Sequence, residues 1–426
     1  MDSFSDFLFL LTILVEVACL FYLEQKTWKT LYTPLNFLML PYTAVLLVTI
    51  PTAGNFGFVD FHYPSIIFWN IGLLLFALPS FVLGGLLNYY GKPIASPIEQ
   101  RPLPRVLVVI ATLVGLALAF QFYRTLGSSS AFVGSEDFAE EFSGHGMWAH
   151  IRQMSIPLLV ICIYFLDKRH RWLWPIVIIL LLANFINQVK GAIIIAVLSG
   201  MALRLYGGKT KLSLKFILLT LGGAVALFFI SYMVLPLLGK GEGEVTDELI
   251  EFVYTTFAHY FTSGVLGLSE DMVYNYPDAG SFDVIISPFI NIYNQVAGDG
   301  EIISPVNALY YNTGHSLTNV RTFFGTLYIY SNWIQFSVYT VFLSTLLYMM
   351  KIFTIKYNNI FVLTAFFYEC SLLAMGWFEF YFFHLAALEI PILSLLLMAL
   401  CSLRFKAKED SSDHTSLPTT QNSQHD

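Results

Sequence analysis

The sequence predicts an all-α fold, a polytopic membrane helix bundle. Three observations predict it. Of the 426 residues, 56% are apolar and only 12% are charged, and the mean hydropathy is +0.67, which leaves too little polar surface to dissolve a globule of this size. Most apolar runs approach or exceed the roughly 20 residues that carry a helix across about 30 Å of hydrocarbon. Alternating segments of about ten residues, the mark of a barrel, do not occur, so each span must satisfy its own backbone groups, as a helix does.

In order, the apolar runs give about eleven spans, near residues 6–23, 35–51, 66–88, 105–125, 153–167, 172–187, 191–206, 215–238, 333–350, 359–376 and 383–403. The first run carries Asp2 and Asp6 instead of a basic leader, and no small-x-small cleavage site follows it, so it reads as a span and not as a cleaved signal. The sixth and seventh spans meet in a hairpin around Asn187–Gly191, and the last two divide between Phe378 and Phe383. Lys26, Lys29, Lys168, Arg169, Arg204, Lys209, Lys351, Lys356 and Arg404 fall on alternate connections, whereas the opposite side keeps only Arg124, Arg152, Lys190, Lys240 and Arg321. Positive charge stays cytoplasmic, so the N-terminus is expected outside and the C-terminus inside.

Residues 1–404 are thus expected to form one membrane-embedded domain, with 239–331 as a long outer loop. Residues 405–426 turn to Ser, Thr, Gln, Asn and Asp without apolar periodicity, which predicts a disordered cytoplasmic tail. In the long loop, Leu249, Phe252, Val253, Phe257 and Tyr260 recur at helical spacing, predicting an amphipathic helix over about 246–261. Pro277, Pro288 and Pro305, with Gly280, Gly298 and Gly300, predict mostly loop with short helical turns from Tyr274 to Thr313. A second outer loop, 126–150, is acidic and ends in Gly144-His145-Gly146-Met147-Trp148-Ala149-His150.

The net charge of −7 gathers in the outer loops and the tail and does not imply nucleic acid. Cys19, Cys162, Cys370 and Cys401 all fall inside apolar runs without metal-ligand spacing. No Gly-rich phosphate loop, His-Glu-x-x-His helix or Gly-x-Ser-x-Gly elbow is present, which disfavours nucleotide-driven and soluble hydrolase chemistry.

What remains is the outer face. Its few cations stand out because that side is otherwise stripped of them, and a guanidinium fork suits phosphate. Arg124, Arg152 and Arg321 all sit at the depth of a lipid phosphate. His145, His150, His259 and His315 lie on the same side, where a neutral imidazole can take a proton from a sugar hydroxyl. Tyr260, Tyr328 and their aromatic neighbours suit either carbohydrate or the membrane interface. Glu16, Glu369 and Glu389 fall inside apolar runs and should face the bundle interior.

The run Asn319-Val320-Arg321-Thr322-Phe323-Phe324, continuing through Leu327-Tyr328 to Trp333-Ile334, resembles the end of the long periplasmic loop in bacterial oligosaccharide repeat-unit polymerases of the O-antigen (Wzy) type. His150-Ile151-Arg152 and the hairpin with Lys190-Gly191 look similar to the same family. The chain departs from the family after that run, with Tyr330, Ser331, Asn332 and Gln335.

The resemblance implies a metal-independent glycosyltransferase without cofactor, in the bacterial inner membrane. It would join undecaprenyl-diphosphate-linked oligosaccharides on the periplasmic face, with membrane lipids, a chain-length regulator and a flippase as partners. Under it, Arg152 and Arg321, helped by Arg124 and Lys190, hold diphosphate. His259 or His315 is the base, and His150, Asn319, Tyr260 and Tyr328 contact substrate. An O-antigen ligase and a lipid-sugar transporter are the alternatives.

Overall fold

A computed structural model describes residues 3–54, 57–91, 102–129, 136–143, 146–186, 190–220, 222–223, 225–226, 229, 247–274, 281–298 and 300–410. It is an all-α membrane helix bundle. Six helices among the described residues are long and apolar enough to cross a bilayer: α1 (Ser3–Trp28), α2 (Pro34–Thr52), α3 (Pro64–Tyr89), α4 (Arg105–Ser128), α6 (Met147–Phe165) and α12 (Trp333–Tyr357). Four shorter apolar helices accompany them, α7 (Trp174–Ile186), α8 (Lys190–Tyr206), α13 (Ile360–Ala374) and α14 (Ala386–Asp410). Most of the expected span at 215–238 lies outside the described residues, although 214–220 are helical. Helix α14 runs past the expected start of the tail at 405, and residues 411–426 lie outside the described residues.

Helix α13 is the axis. It is buried without interruption from Leu363 to Leu373 and packs on α2, α8, α12 and α14, as expected of a helix that is apolar all round. Around it, α3 lies between α1 and α12, and α6 lies against α8, α4 and α7. Gly84 lets α3 close on α1, because a β-carbon there would press on Thr27 and stand 3.1 Å from the Trp28 ring.

Two polar features fix the end of the bundle that holds the basic connections. Arg204 donates from one nitrogen to the carbonyls of Ile163, Tyr164 and Leu166 at 2.8, 3.1 and 2.7 Å, satisfying orphan groups at the end of α6. The buried Glu24 accepts from Ser80 at 2.5 Å and from Tyr348, while Trp28 donates to Ser80 at 2.8 Å. These bonds tie α1, α3 and α12 together.

The opposite end carries the long insertion. Helix α9 (Asp247–Tyr274) is followed by α10 (Ser287–Ala297), a two-residue hairpin of β1 (Tyr311–Asn312) and β2 (Leu317–Thr318), and α11 (Phe323–Tyr330). Helix α9 extends thirteen residues beyond the expected end at 261. Its Gly264 and Gly267 do not break it: the first admits the backbone of Trp377 and Phe378, the second the ring of Tyr311. The acidic loop after α4 also holds an unexpected helix, α5 (Glu136–Ser143), which buries Phe138 and Phe142 against Phe122.

Candidate functional site

The insertion folds down onto the bundle through the hairpin. Gly314 turns it at φ +99°, with no room for a β-carbon beside the Gly57 carbonyl, and Val59 donates to the Thr313 carbonyl at 2.9 Å. Tyr311 reaches under α9 and donates to the Ser263 carbonyl. This docking puts Thr313 3.0 Å from Nδ1 of the buried His259 and places exposed His315 edge-on to Phe58 at 4.6 Å. Burial, then the nearby His315, lower the His259 pKa, so this imidazole is neutral at pH 7 and able to accept a proton. Between α2 and α9 lies an apolar groove of about 540 Å³, walled by Val48, Phe257, Ala258 and Phe261 and lined also by His315.

Further along α9, Asp271 and Arg321 form a fully buried, bidentate ion pair, Nε to Oδ2 at 2.6 Å and the second contact at 3.0 Å. The remaining terminal nitrogen donates to the carbonyls of Leu309 and Asn319 at 2.6 and 3.2 Å, and the guanidinium lies 5.1 Å from the Tyr311 ring centre. Next to this pair, His62 meets Glu270 at 3.3 Å. Burial raises the Glu270 carboxyl, with His62 pulling it back down.

The connection between α13 and α14, Met375-Gly376-Trp377-Phe378-Glu379-Phe380-Tyr381-Phe382-Phe383-His384-Leu385, is a strap held on several sides. Its Gly376 carbonyl accepts from Phe323 N at 2.6 Å, Gly264 of α9 leaves no room for a β-carbon beside the Trp377 and Phe378 carbonyls, and Ser287 donates to the Phe383 carbonyl at 3.0 Å. A β-carbon at Gly191 would stand 3.0 Å from the Tyr381 hydroxyl, so the strap also meets the first turn of α8. Phe378 stacks on Tyr260 of α9 at 5.8 Å and 15°. Burial pushes the Glu379 carboxyl up to about 7 and the His384 imidazole down to about 4, and both keep part of their surface accessible. Just past the strap, in the first turn of α14, Glu389 receives His150 of α6 at 2.7 Å, with the half-buried Arg152 in electrostatic reach.

The pattern of one protein family covers residues 57–407, most of the chain. The chain belongs to the family of unknown function DUF6337. No curated protein and no solved structure matches it. The part shared with DUF6337 includes the hairpin, α9, the ion pair, the strap and the α6–α14 cluster; of the elements above, only α1 and α2 precede it.

In this DUF6337 member the residues expected from sequence separate into three sets. His259, His315, Tyr260, Asn319 and Arg321 gather around α9 and the hairpin. Arg152 and His150 stand across the strap, on α6. Arg124 is exposed on the last turns of α4, Lys190 opens α8 with its side chain outside the described part, and His145 lies outside the described residues. Two expectations change on geometry. Arg321 cannot hold diphosphate in this arrangement, since it is 1% exposed and its donors are taken by Asp271 and two carbonyls. Asn319 exchanges hydrogen bonds with Asn307 at 2.8 and 2.9 Å, and half-buried Tyr328 packs edge-on to Phe68, so both hold the insertion together. His62, Glu379, Tyr381 and His384 were not anticipated. The one legible signal was an acid inside an aromatic run, Trp377-Phe378-Glu379-Phe380-Tyr381, with no basic residue beside it.

Proposed function

We propose that this protein polymerises lipid-diphosphate-linked oligosaccharide repeat units by glycosyl transfer on the periplasmic face of the bacterial inner membrane. The observation that carries the reading is the apolar groove between α2 and α9, which His315 helps to line, two residues from the Thr313 that meets His259. A prenyl tail suits such walls, and its headgroup would then meet side chains that bind phosphate and move protons. About eleven spans, with the N-terminus outside, the C-terminus inside and 239–331 as the outer loop, put this groove at the periplasmic interface.

In the reaction an acceptor hydroxyl oxygen bonds to the donor's anomeric carbon, the bond from that carbon to the diphosphate breaks, and lipid diphosphate leaves. The hydroxyl proton passes to a base of the protein. We assign the diphosphate to Arg152 and His315, and the Arg321–Asp271 pair to holding the insertion in place. A chain-length regulator and a flippase would be its working partners.

Cells lacking the protein should accumulate single lipid-linked repeats. Accumulated long lipid-linked chains would instead mean ligation, and unchanged glycolipids would end the proposal. Ala258→Trp, which fills the groove, should reduce polymer at least tenfold at equal protein level. Unreduced polymer would remove the groove from the reading.

A further inference from the structure

We propose that the strap at 375–385 is the binding site for the acceptor sugar and that the Glu379 carboxylate is the base that takes its hydroxyl proton. The proposal rests on the polymerase reading and adds to it the second substrate, which the groove leaves unplaced.

Recognition comes from the aromatic pair. Tyr260 and Phe378 stack on each other, and Tyr260 is 40% exposed. The CH face of a pyranose packs against such a ring while its hydroxyls reach polar tips. Those tips are close at hand: Tyr260 and Tyr381 interact electrostatically with each other, and Tyr381 with Glu379.

Position comes from the backbone. The strap is gripped by α11 through Phe323, by α9 at Gly264, by α10 through Ser287 and by α8 at Gly191. A side chain on such a scaffold is held in one place before substrate arrives, which is what a general base requires.

The charges facing the strap are also suited to the task. Tyr381 is the hub of these groups, in electrostatic reach of Glu379, Tyr260 and Tyr368; His384 stands on the strap itself, and the Glu389–His150 pair with Arg152 lies just past it. Burial brings the Glu379 carboxyl to about 7, the range in which a carboxylate is most effective as a base at neutral pH. The step balances: the acceptor O–H bond breaks, its proton goes to Glu379 and its electron pair forms the new glycosidic bond. The bond from the anomeric carbon to the donor diphosphate breaks with its electrons on the leaving lipid.

The test uses the full-length protein in detergent. The donor is the glycolipid that accumulates in cells lacking the protein, and the oligosaccharide released from it by mild acid is offered as a soluble acceptor. Glu379→Gln should bind this acceptor with nearly unchanged KM and turn over at least 100-fold more slowly, the scale of a lost general base. Tyr260→Ala should raise KM for the acceptor. Glu379→Asp, which keeps the carboxylate on a shorter arm, should recover part of the turnover, and wild-type turnover should fall as pH drops below about 7.

Wild-type turnover in Glu379→Gln overturns the proposal, as does a pH profile without that acid limb. A change confined to KM in Glu379→Gln would also overturn the assignment as base. Failure of the polymerase reading is distinct: no lipid-linked repeat would accumulate in the deletion strain.

Discussion

Removing the Arg321 guanidinium should unfold the insertion, and the size of the effect follows from its surroundings. Arg321→Ala deletes a bidentate contact at 2.6 and 3.0 Å and two carbonyl bonds at 2.6 and 3.2 Å. It leaves Asp271, fully buried, as a carboxylate without a cation. Breaking one side of a buried pair costs about 3–5 kcal/mol, mostly through the charge left behind. Replacing both partners with apolar side chains of similar volume, Asp271→Leu with Arg321→Met, should be close to neutral by the same argument. Fluorescence-detected gel filtration after a temperature ramp gives the order: wild type and the double variant together, the single variant well below. A single variant as stable as wild type would refute the ion-pair argument, and so would a double variant no better than the single. The double variant also separates structure from chemistry. If it is stable and still makes polymer, Arg321 has no direct part in the reaction.

Two further predictions concern the strap. Gly264→Ala places a β-carbon against the Trp377 carbonyl and 2.6 Å from that of Phe378; both are backbone atoms that cannot swing aside. It should cost about 1–3 kcal/mol, and an unshifted melting temperature would show that the strap does not sit on α9. The pH dependence of stability tests the buried acid and imidazole together. Folded Glu379 keeps its proton between 4.5 and about 7, where the unfolded chain has lost it, so its contribution disappears as pH rises through 7. Folded His384 resists protonation down to about 4 while the unfolded imidazole takes a proton below 6.5, so its contribution disappears as pH falls. At about 1.36 kcal/mol per pKa unit the two slopes are of similar size and offset one another between pH 4.5 and 6.5. Glu379→Gln alone should therefore become more stable as pH rises through that window, and His384→Gln alone less stable. Melting curves of both variants that run parallel to wild type would contradict the burial of these groups.

The helices were legible because hydropathy reports directly on what can enter lipid, and helices stand at most of the expected spans. The site was less legible because sequence gives charges without their partners. Arg321 looked like a free cation on a face stripped of them, and its counter-charge lies 50 residues earlier. The expected helix stopped near 261, short of Gly264 and Gly267, the positions where the strap and Tyr311 approach α9. The strap was hidden for a different reason. Phenylalanine, tyrosine and tryptophan score as membrane-loving, so the run from Trp377 to Phe383 looked like no more than the division between two spans, although bonds from α11 and α10 hold it. Four acids likewise disguised α5, whose two buried phenylalanines decide its place.

The carboxyl of Glu24 finds its partners at very different moments of synthesis. Ser80 follows it by 56 residues, but Tyr348 by 324, which at about 5–20 residues per second means roughly 16 to 65 seconds of translation. Through that interval the carboxyl lacks the Tyr348 hydroxyl that completes its hydrogen bonds. Helix α1 therefore stays loosely seated until α12 has been made, and a chain truncated before Tyr348 should surrender α1 to membrane quality control.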